Sequence, residues 1–268
     1  MNKKLQEYME HSFDLAAVAE ANIKWIRDWF EINGKGATAV IGLSGGKDST
    51  VVATLCVKAL GADRVFGVLM PDHKQSDIDV SMGVAAWLGI KHAVVDVGAA
   101  TDGVKAGLAS ADMYDREACA IDEKLGETKQ MLVNIAPRVR MTTLYAVAAT
   151  MNGRVSNNSN RSERYVGYST IFGDGVGDFS PLANLTVTEV VSIGEYLGVP
   201  DEYIHKAPSD GLTGKTDEDN FGFTYEELDT LILTGTCENE QVKQLIEERH
   251  RNNSFKLKPM PMFMKEME

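Results

Sequence analysis

At 268 residues the chain is long enough for one or two domains around a sizeable core. Hydrophobic residues make up 44% and charged residues 25%, an ordinary balance for a globular protein. The net charge of −12 repels phosphate backbones and argues against a nucleic-acid binder.

No stretch reaches the ~18 apolar residues of a membrane span, and no apolar core follows the N-terminal Met1-Asn2-Lys3-Lys4. A cytoplasmic enzyme without a membrane partner is therefore expected. Cys56, Cys119 and Cys237 are widely spaced and lack a CxxC pair, so they read as buried or idle thiols.

Taken in chain order, residues 12–32 read as an amphipathic helix, with Leu15, Val18, Ala19, Ile26, Trp29 and Phe30 at helical spacing and Asn33-Gly34 as its end. Ala37 to Ile41 reads as a first strand and Thr50 to Leu60 as a helix closed by Gly61. Arg64 to Pro71 reads as a buried strand, 77–88 as a helix ended by Gly89, and 91–97 as a third strand. Residues 98–131 hold two helix-like stretches of weak pattern. A long helix opens at Asn134 and runs to about Met151, with Pro137 tolerable in its first turn. Arg138 and Arg140, two apart, project from different faces of it.

Arg154-Val155-Ser156 reads as a short fourth strand. The next 25 or so residues are polar and Gly-rich, a length that marks a functional or disordered loop. The aromatic residues within it favour order. Thr186-x-x-Glu189 and Thr224-x-x-Glu227 are capping boxes, each opening a helix, and a further helix covers 239–250. Alternating strands and helices imply βαβ units, a parallel sheet, and ligands at the carboxyl ends of its strands.

The most informative stretch is Gly42-Leu43-Ser44-Gly45-Gly46-Lys47-Asp48-Ser49, between the first strand and its helix. Backbone N–H groups at a helix start lack internal partners and, with the helix dipole, make an anion site. Gly45 and Gly46 let an oxyanion approach the backbone. Ser44 and Ser49 add hydroxyl donors and Lys47 a point charge. Asp48 is out of place beside phosphate unless a divalent cation lies between them. The pattern is neither GxxxxGK[ST] nor GxGxxG. It resembles the SGGxDS signature of the N-type ATP pyrophosphatases, which cleave ATP between its α and β phosphates and hold the departing pyrophosphate on this loop. The plain alternative is a glycine-rich turn before a helix.

Further landmarks fall in one order: Pro71 with Gln75, Asn134-Ile135-Ala136-Pro137-Arg138-x-Arg140-Met141, Ser162-Glu163, Gly173-Asp174-Gly175-x-x-Asp178, Lys206-Ala207-Pro208-Ser209, and Lys256. With these the chain resembles the ammonia-dependent NAD synthetases over nearly its whole length. The resemblance implies an α/β fold: a Rossmann-like, adenine nucleotide alpha hydrolase-like parallel sheet flanked by helices, with extra N- and C-terminal helices. It implies a single unit over 1–268, with a helical segment at 1–34, an α/β core at 35–200 and a helical part at 201–268 carrying a lid loop at 207–223.

The activity implied is ATP-dependent amidation of deamido-NAD by ammonia. The nicotinate carboxylate attacks the α-phosphate, giving an adenylate and pyrophosphate, and ammonia then displaces AMP. The residue roles implied by the resemblance are as follows. Asp48 and Glu163 would hold Mg²⁺. The 42–49 loop, the Met70 backbone, Gln75 and Ser209 would contact ATP, as would Asn158, which stands where the family often has Thr. Arg138, Asp178 and Lys256 would contact deamido-NAD, and Asp178 would also accept a proton from the entering ammonia. A homodimer is implied, with the apolar face of 15–30 and the 137–151 helix as candidate interfaces that intramolecular packing explains equally well. Glutamine-dependent members carry an additional amidohydrolase domain, and one helix precedes the synthetase region here, so free ammonia is the expected nitrogen source.

The chain departs from the family pattern at Ile171 and Val187, both lysine positions, and at Phe255, a histidine position. The lost positive charges weaken polyphosphate or dinucleotide binding unless Lys215 or Arg161 replaces them. Two alternatives stand beside this reading: another ATP pyrophosphatase that adenylates a different carboxylate or carbonyl, and a non-catalytic nucleotide-binding protein.

Overall fold

The computed structural model describes residues 1–73, 78–110, 132–206 and 217–263. Four parallel strands form its sheet: β1 (Thr38–Gly42), β2 (Val65–Leu69), β3 (Lys91–Val94) and β4 (Gly153–Val155). Their order is β3-β2-β1-β4. The chain builds outward from β1 to β3, then returns to place β4 on the other side of β1. That reversal makes the carboxyl ends of β1 and β4 the switch point where an open sheet forms a crevice.

Alternation along β1 divides the core into two layers. Ala39 and Ile41 face one cluster, with Ile26 and Phe30 of the Leu15–Asn33 helix, Val52 and Leu55 of the Lys47–Leu60 helix, and Val190 and Ile193 of the Val187–Tyr196 helix. Val40 faces the other, with Val68, Met70 and Val155 beneath Val139 and Leu144 of the Ile135–Thr150 helix. Ile23, Ile26 and Phe30 of the Leu15–Asn33 helix are thus buried within the chain, so intramolecular packing accounts for this face. A third cluster joins Val166, Val187, Phe221, Phe223, Tyr225, Leu228 and Ile246 near the C-terminal helices.

Several elements differ from the expectations. Lys3–His11 is a helix capped by Asn2, whose side chain accepts from Leu5 N–H; the apolar pattern there is too sparse to announce it. The polar stretch after β4 is not all loop, since Arg161–Val166 is helical. In the expected lid, 207–216 lies outside the described residues, while Asp217–Phe221 is a helix. Helix Gly98–Ser110 accounts for the first weak stretch of 98–131. Among the described residues, no helix is long and apolar enough to cross a membrane.

Candidate active site

β1 delivers the chain to the glycine loop at the crevice. Leu43 N–H donates to Val68 O at 3.0 Å, so the strand ladder carries the first loop residue. Gly45 has φ +74°, and a Cβ there would lie 2.9 Å from Ser81 Oγ and 3.1 Å from Ser81 N. Both the conformation and the space therefore require glycine. Ser81 is buried and its hydroxyl has no partner. Gly46 is the N-cap of the Lys47–Leu60 helix and makes no side-chain capping bond, which leaves the helix start without a side-chain acceptor. The two serines close the loop on itself. Ser44 Oγ and Ser49 Oγ lie 3.1 Å apart, and Ser49 donates to Gly46 O at 3.1 Å.

β4 delivers the second half of the site. Asn160 is the N-cap of the Arg161–Val166 helix and Glu163 its third residue, in a reciprocal capping box. Asn160 Oδ1 accepts from Glu163 N–H at 3.0 Å, and Asn160 N–H donates to Glu163 Oε2 at 3.1 Å. The same side chain reaches across the crevice, where Asn160 Nδ2 donates to Asp48 Oδ1 at 3.0 Å. One asparagine thus joins the two expected metal carboxylates.

The electrostatics follow from this crowding. Burial first, and the Asp48 carboxylate second, push Glu163 well above the ordinary carboxylate range. Lys47 Nζ lies 3.1 Å from Asp48 Oδ2. Burial pulls the Lys47 ammonium down, but Asp48, Glu163 and Asp217 outweigh it and hold its pKa at about 12. Lys47 also sits 5.3 Å from the centre of the Tyr225 ring, and the Tyr225 hydroxyl donates to Asp217 Oδ2 at 2.9 Å. Burial, helped by Glu163 and Asp217, pushes the Tyr225 phenol far above its usual value. A buried carboxylate with a second one beside it is a hard-oxygen pair suited to a divalent cation. Among the described residues no three His, Cys, Asp or Glu side chains cluster as a metal cage. Phosphate oxygens and water would have to complete such a shell, the usual condition for Mg²⁺.

The other expected residues have partners of their own. Asn158 is anchored to the root of the glycine loop, donating to Gly42 O at 3.0 Å and accepting from Ser156 Oγ at 2.8 Å. Asp178 sits beside the end of β4. Its Oδ2 accepts from Val155 N–H at 2.7 Å and its Oδ1 from the Tyr145 hydroxyl at 3.3 Å. Burial and the Asp178 charge push Tyr145 up to about 12. Arg138 is exposed and donates to Ile171 O at 3.3 Å, while Arg140 donates to Met70 O at 3.0 Å. The two arginines do part, and the inward one holds the backbone expected to meet adenine.

Lys256, from the C-terminal Ser254–Leu257 turn, donates to Gly167 O at 2.8 Å and Ser169 O at 3.1 Å. It thereby straps the 167–170 segment. Gln75, Ser209 and Lys215 lie outside the described residues. Val187, expected from the resemblance to stand at a lysine position, is a core residue packed among Phe221, Tyr225 and Leu228. Arg161 opens the Arg161–Val166 helix, and its positive field reaches Tyr8 on the first helix.

Sequence reasoning missed Asn160, Tyr145, Asp217 and Tyr225. The first was legible, because Asn160-x-x-Glu163 has capping-box spacing.

The NAD synthase family model matches residues 18–261. An NH(3)-dependent NAD(+) synthetase of Methanococcus aeolicus is 42% identical over 83% of this chain and 79% of its own length. A solved structure of an NMN synthetase from Francisella tularensis has a TM-score of 0.81 at 31% identity, covering 94% of this chain and 99% of that one. The NH3-dependent NAD synthetase of Campylobacter jejuni has a TM-score of 0.71 at 28% identity, covering 94% and 100%. The chain belongs to the NAD synthase family.

Proposed function

We propose that this protein amidates the nicotinate carboxylate of deamido-NAD with ammonia in an ATP-dependent, AMP-forming reaction. The observation that carries the reading is the joining of Asp48, on the glycine loop, to Glu163 through Asn160. The names of the relatives support ammonia as the nitrogen source.

The 42–49 loop and the helix start at Lys47 bind the β and γ phosphates through backbone N–H groups. Asp48 and Glu163 would hold Mg²⁺, and the ion would supply positive charge against the phosphates so that a carboxylate could approach them. A carboxylate oxygen attacks the α-phosphorus, the bond to the β-phosphate oxygen breaks, and pyrophosphate departs onto the loop. Lys47, paired with Asp48, adds positive charge against it. Ammonia attacks the adenylated carboxyl carbon, AMP leaves, and Asp178 accepts the surplus proton of the new amide. Arg138 and Lys256 orient the deamido-NAD, and Met70, Gln75, Asn158 and Ser209 orient the ATP. Such a site works by positioning and charge stabilisation, without a covalent enzyme intermediate. The same reading includes a cytoplasmic homodimer, with the half-exposed Ile135–Thr150 helix as its contact.

A second reading is favoured by one observation: the NMN synthetase structure scores 0.81 against 0.71 for the Campylobacter jejuni NAD synthetase. On that reading the acid is the mononucleotide, and Ile171 and Phe255 fit a site with fewer charges to meet. The many relatives named for NAD synthesis favour the first. Amidation assays with ATP, Mg²⁺, ammonium and each acid in turn decide between them. A higher kcat/KM for deamido-NAD supports the main reading, and a higher value for nicotinate mononucleotide replaces it with the second.

A further inference from the structure

Asp229 plays no part in the chemistry above, yet it is fully buried on the Tyr225–Thr234 helix. Its carboxylate gathers donors from two other elements. Oδ1 accepts from the Ser162 hydroxyl. Oδ2 accepts from Thr188 N–H at 2.8 Å and from the Thr188 hydroxyl at 2.7 Å. Ser162 Oγ accepts in turn from Val187 N–H at 3.0 Å. Three helices therefore meet on one carboxylate.

A buried carboxylate is costly unless donors surround it. Burial lifts Asp229 to about 6, and the Ser162 and Thr188 donors hold it down against that burial and against the nearby Glu189. It remains charged at neutral pH.

The location is what gives this bond meaning. Ser162 immediately precedes Glu163 on a helix of six residues. A helix that short does not hold its own orientation in water. Asn160 ties Glu163 to Asp48, but the capping box moves with the helix. Arg161 N–H to Leu185 O at 2.7 Å and Val166 in the C-terminal cluster also hold this helix, but Ser162 to Asp229 is the side-chain bond next to Glu163 itself. The Tyr225–Thr234 helix also presents Tyr225 to Lys47 and Asp217 from its first turn, so it braces both flanks of the crevice.

We propose that Asp229 is a positioning residue that sets the Glu163 carboxylate for Mg²⁺, acting through Ser162. The proposal rests on the reading that Glu163 holds the metal. Partners behind metal ligands commonly contribute 10–100-fold to metal affinity by fixing ligand orientation.

Asp229→Asn is the informative change. The asparagine oxygen can keep both Thr188 bonds, while its N–H group must donate to Ser162 Oγ and reverse that bond. Ser162→Ala removes the same link from the other end, should the first variant not fold. The probe is α,β-methylene-ATP, titrated calorimetrically with Mg²⁺ and again in EDTA. Both variants are expected to bind about tenfold more weakly than wild type with Mg²⁺ and equally well in EDTA. Neither should add to the loss caused by Glu163→Gln in the double variants.

Wild-type affinity with Mg²⁺ in both variants, beside an impaired Glu163→Gln, overturns the proposal and leaves the metal reading intact. An equal loss with and without Mg²⁺ reduces Asp229 to a structural residue and also overturns it. If Glu163→Gln itself keeps the Mg²⁺-dependent affinity, the metal reading fails and the proposal with it.

Discussion

Asn160 Nδ2 lies 3.0 Å from Asp48 Oδ1, a bond that spans 112 positions of sequence. It joins the loop after β1 to the helix after β4, and through the capping box it links Asp48 to Glu163. Asn160→Ala removes both the helix cap and this crossing bond. The cap alone is worth about 1 kcal/mol. A modest drop in melting temperature is expected, with a tenfold or larger fall in kcat/KM for ATP. Equal losses of stability and activity in an Asn160→Asp variant, which keeps the cap but repels Asp48, would point away from the crossing bond.

Asp48→Ala should abolish turnover while the fold survives, because Asp48 is held by polar contacts at the rim and carries none of the core. Glu163→Gln should also lose turnover, yet melt at or above the wild-type temperature. The reason is that Glu163 is driven toward protonation by burial and by Asp48, so a neutral side chain relieves that penalty in the absence of metal. Thermal melting in EDTA beside a turnover assay checks both. A Glu163→Gln protein that melts well below wild type would show that the charge is stabilising.

Gly45→Ala places a Cβ at φ +74° against Ser81. The left-handed conformation alone costs an alanine on the order of 1–2 kcal/mol, and Ser81 must also move. The expected outcome is a rise in KM for ATP with a small loss of stability. An ATP titration of the variant decides it: unchanged affinity means that the loop does not hold the phosphates.

Much of this was legible in the sequence because it is local. Asp48, the glycines and the helix they open lie within eight residues, and their conformational demands are written in residue types. Thr186-x-x-Glu189 and Thr224-x-x-Glu227 were readable as caps, and both are capping boxes in the structure. Asn160-x-x-Glu163 is the same device with Asn in place of Thr, and it lay hidden in a stretch whose glycines suggested loop. Tyr145, Asp217 and Tyr225 are different in kind, as is Asp229 behind Ser162. Each is where it is only because helices distant in sequence pack side by side, and no spacing announces that. The face of the Leu15–Asn33 helix could equally have met another protomer; its burial against β1 is a tertiary fact.

Asp229 also sets a pH dependence. Its pKa is about 6 in the folded protein, against roughly 3.9 when unfolded. The folded state therefore holds the proton more tightly between those values. The stability linked to this group is fully present below about pH 4 and is lost as pH rises through about 6. Two pKa units correspond to about 3 kcal/mol. Asp229→Asn carries no such linkage, so the wild-type minus variant difference in unfolding free energy should fall between pH 4 and pH 7. Urea unfolding of both proteins across that range measures it; a flat difference would place Asp229 in a far less apolar setting.

Pyrophosphate exchange into ATP, followed without ammonia, tests the central claim most directly. The reaction should require both deamido-NAD and Mg²⁺ and should disappear in Asp48→Ala. Exchange that proceeds without the acid, or an Asp48→Ala protein that exchanges at the wild-type rate, would contradict it.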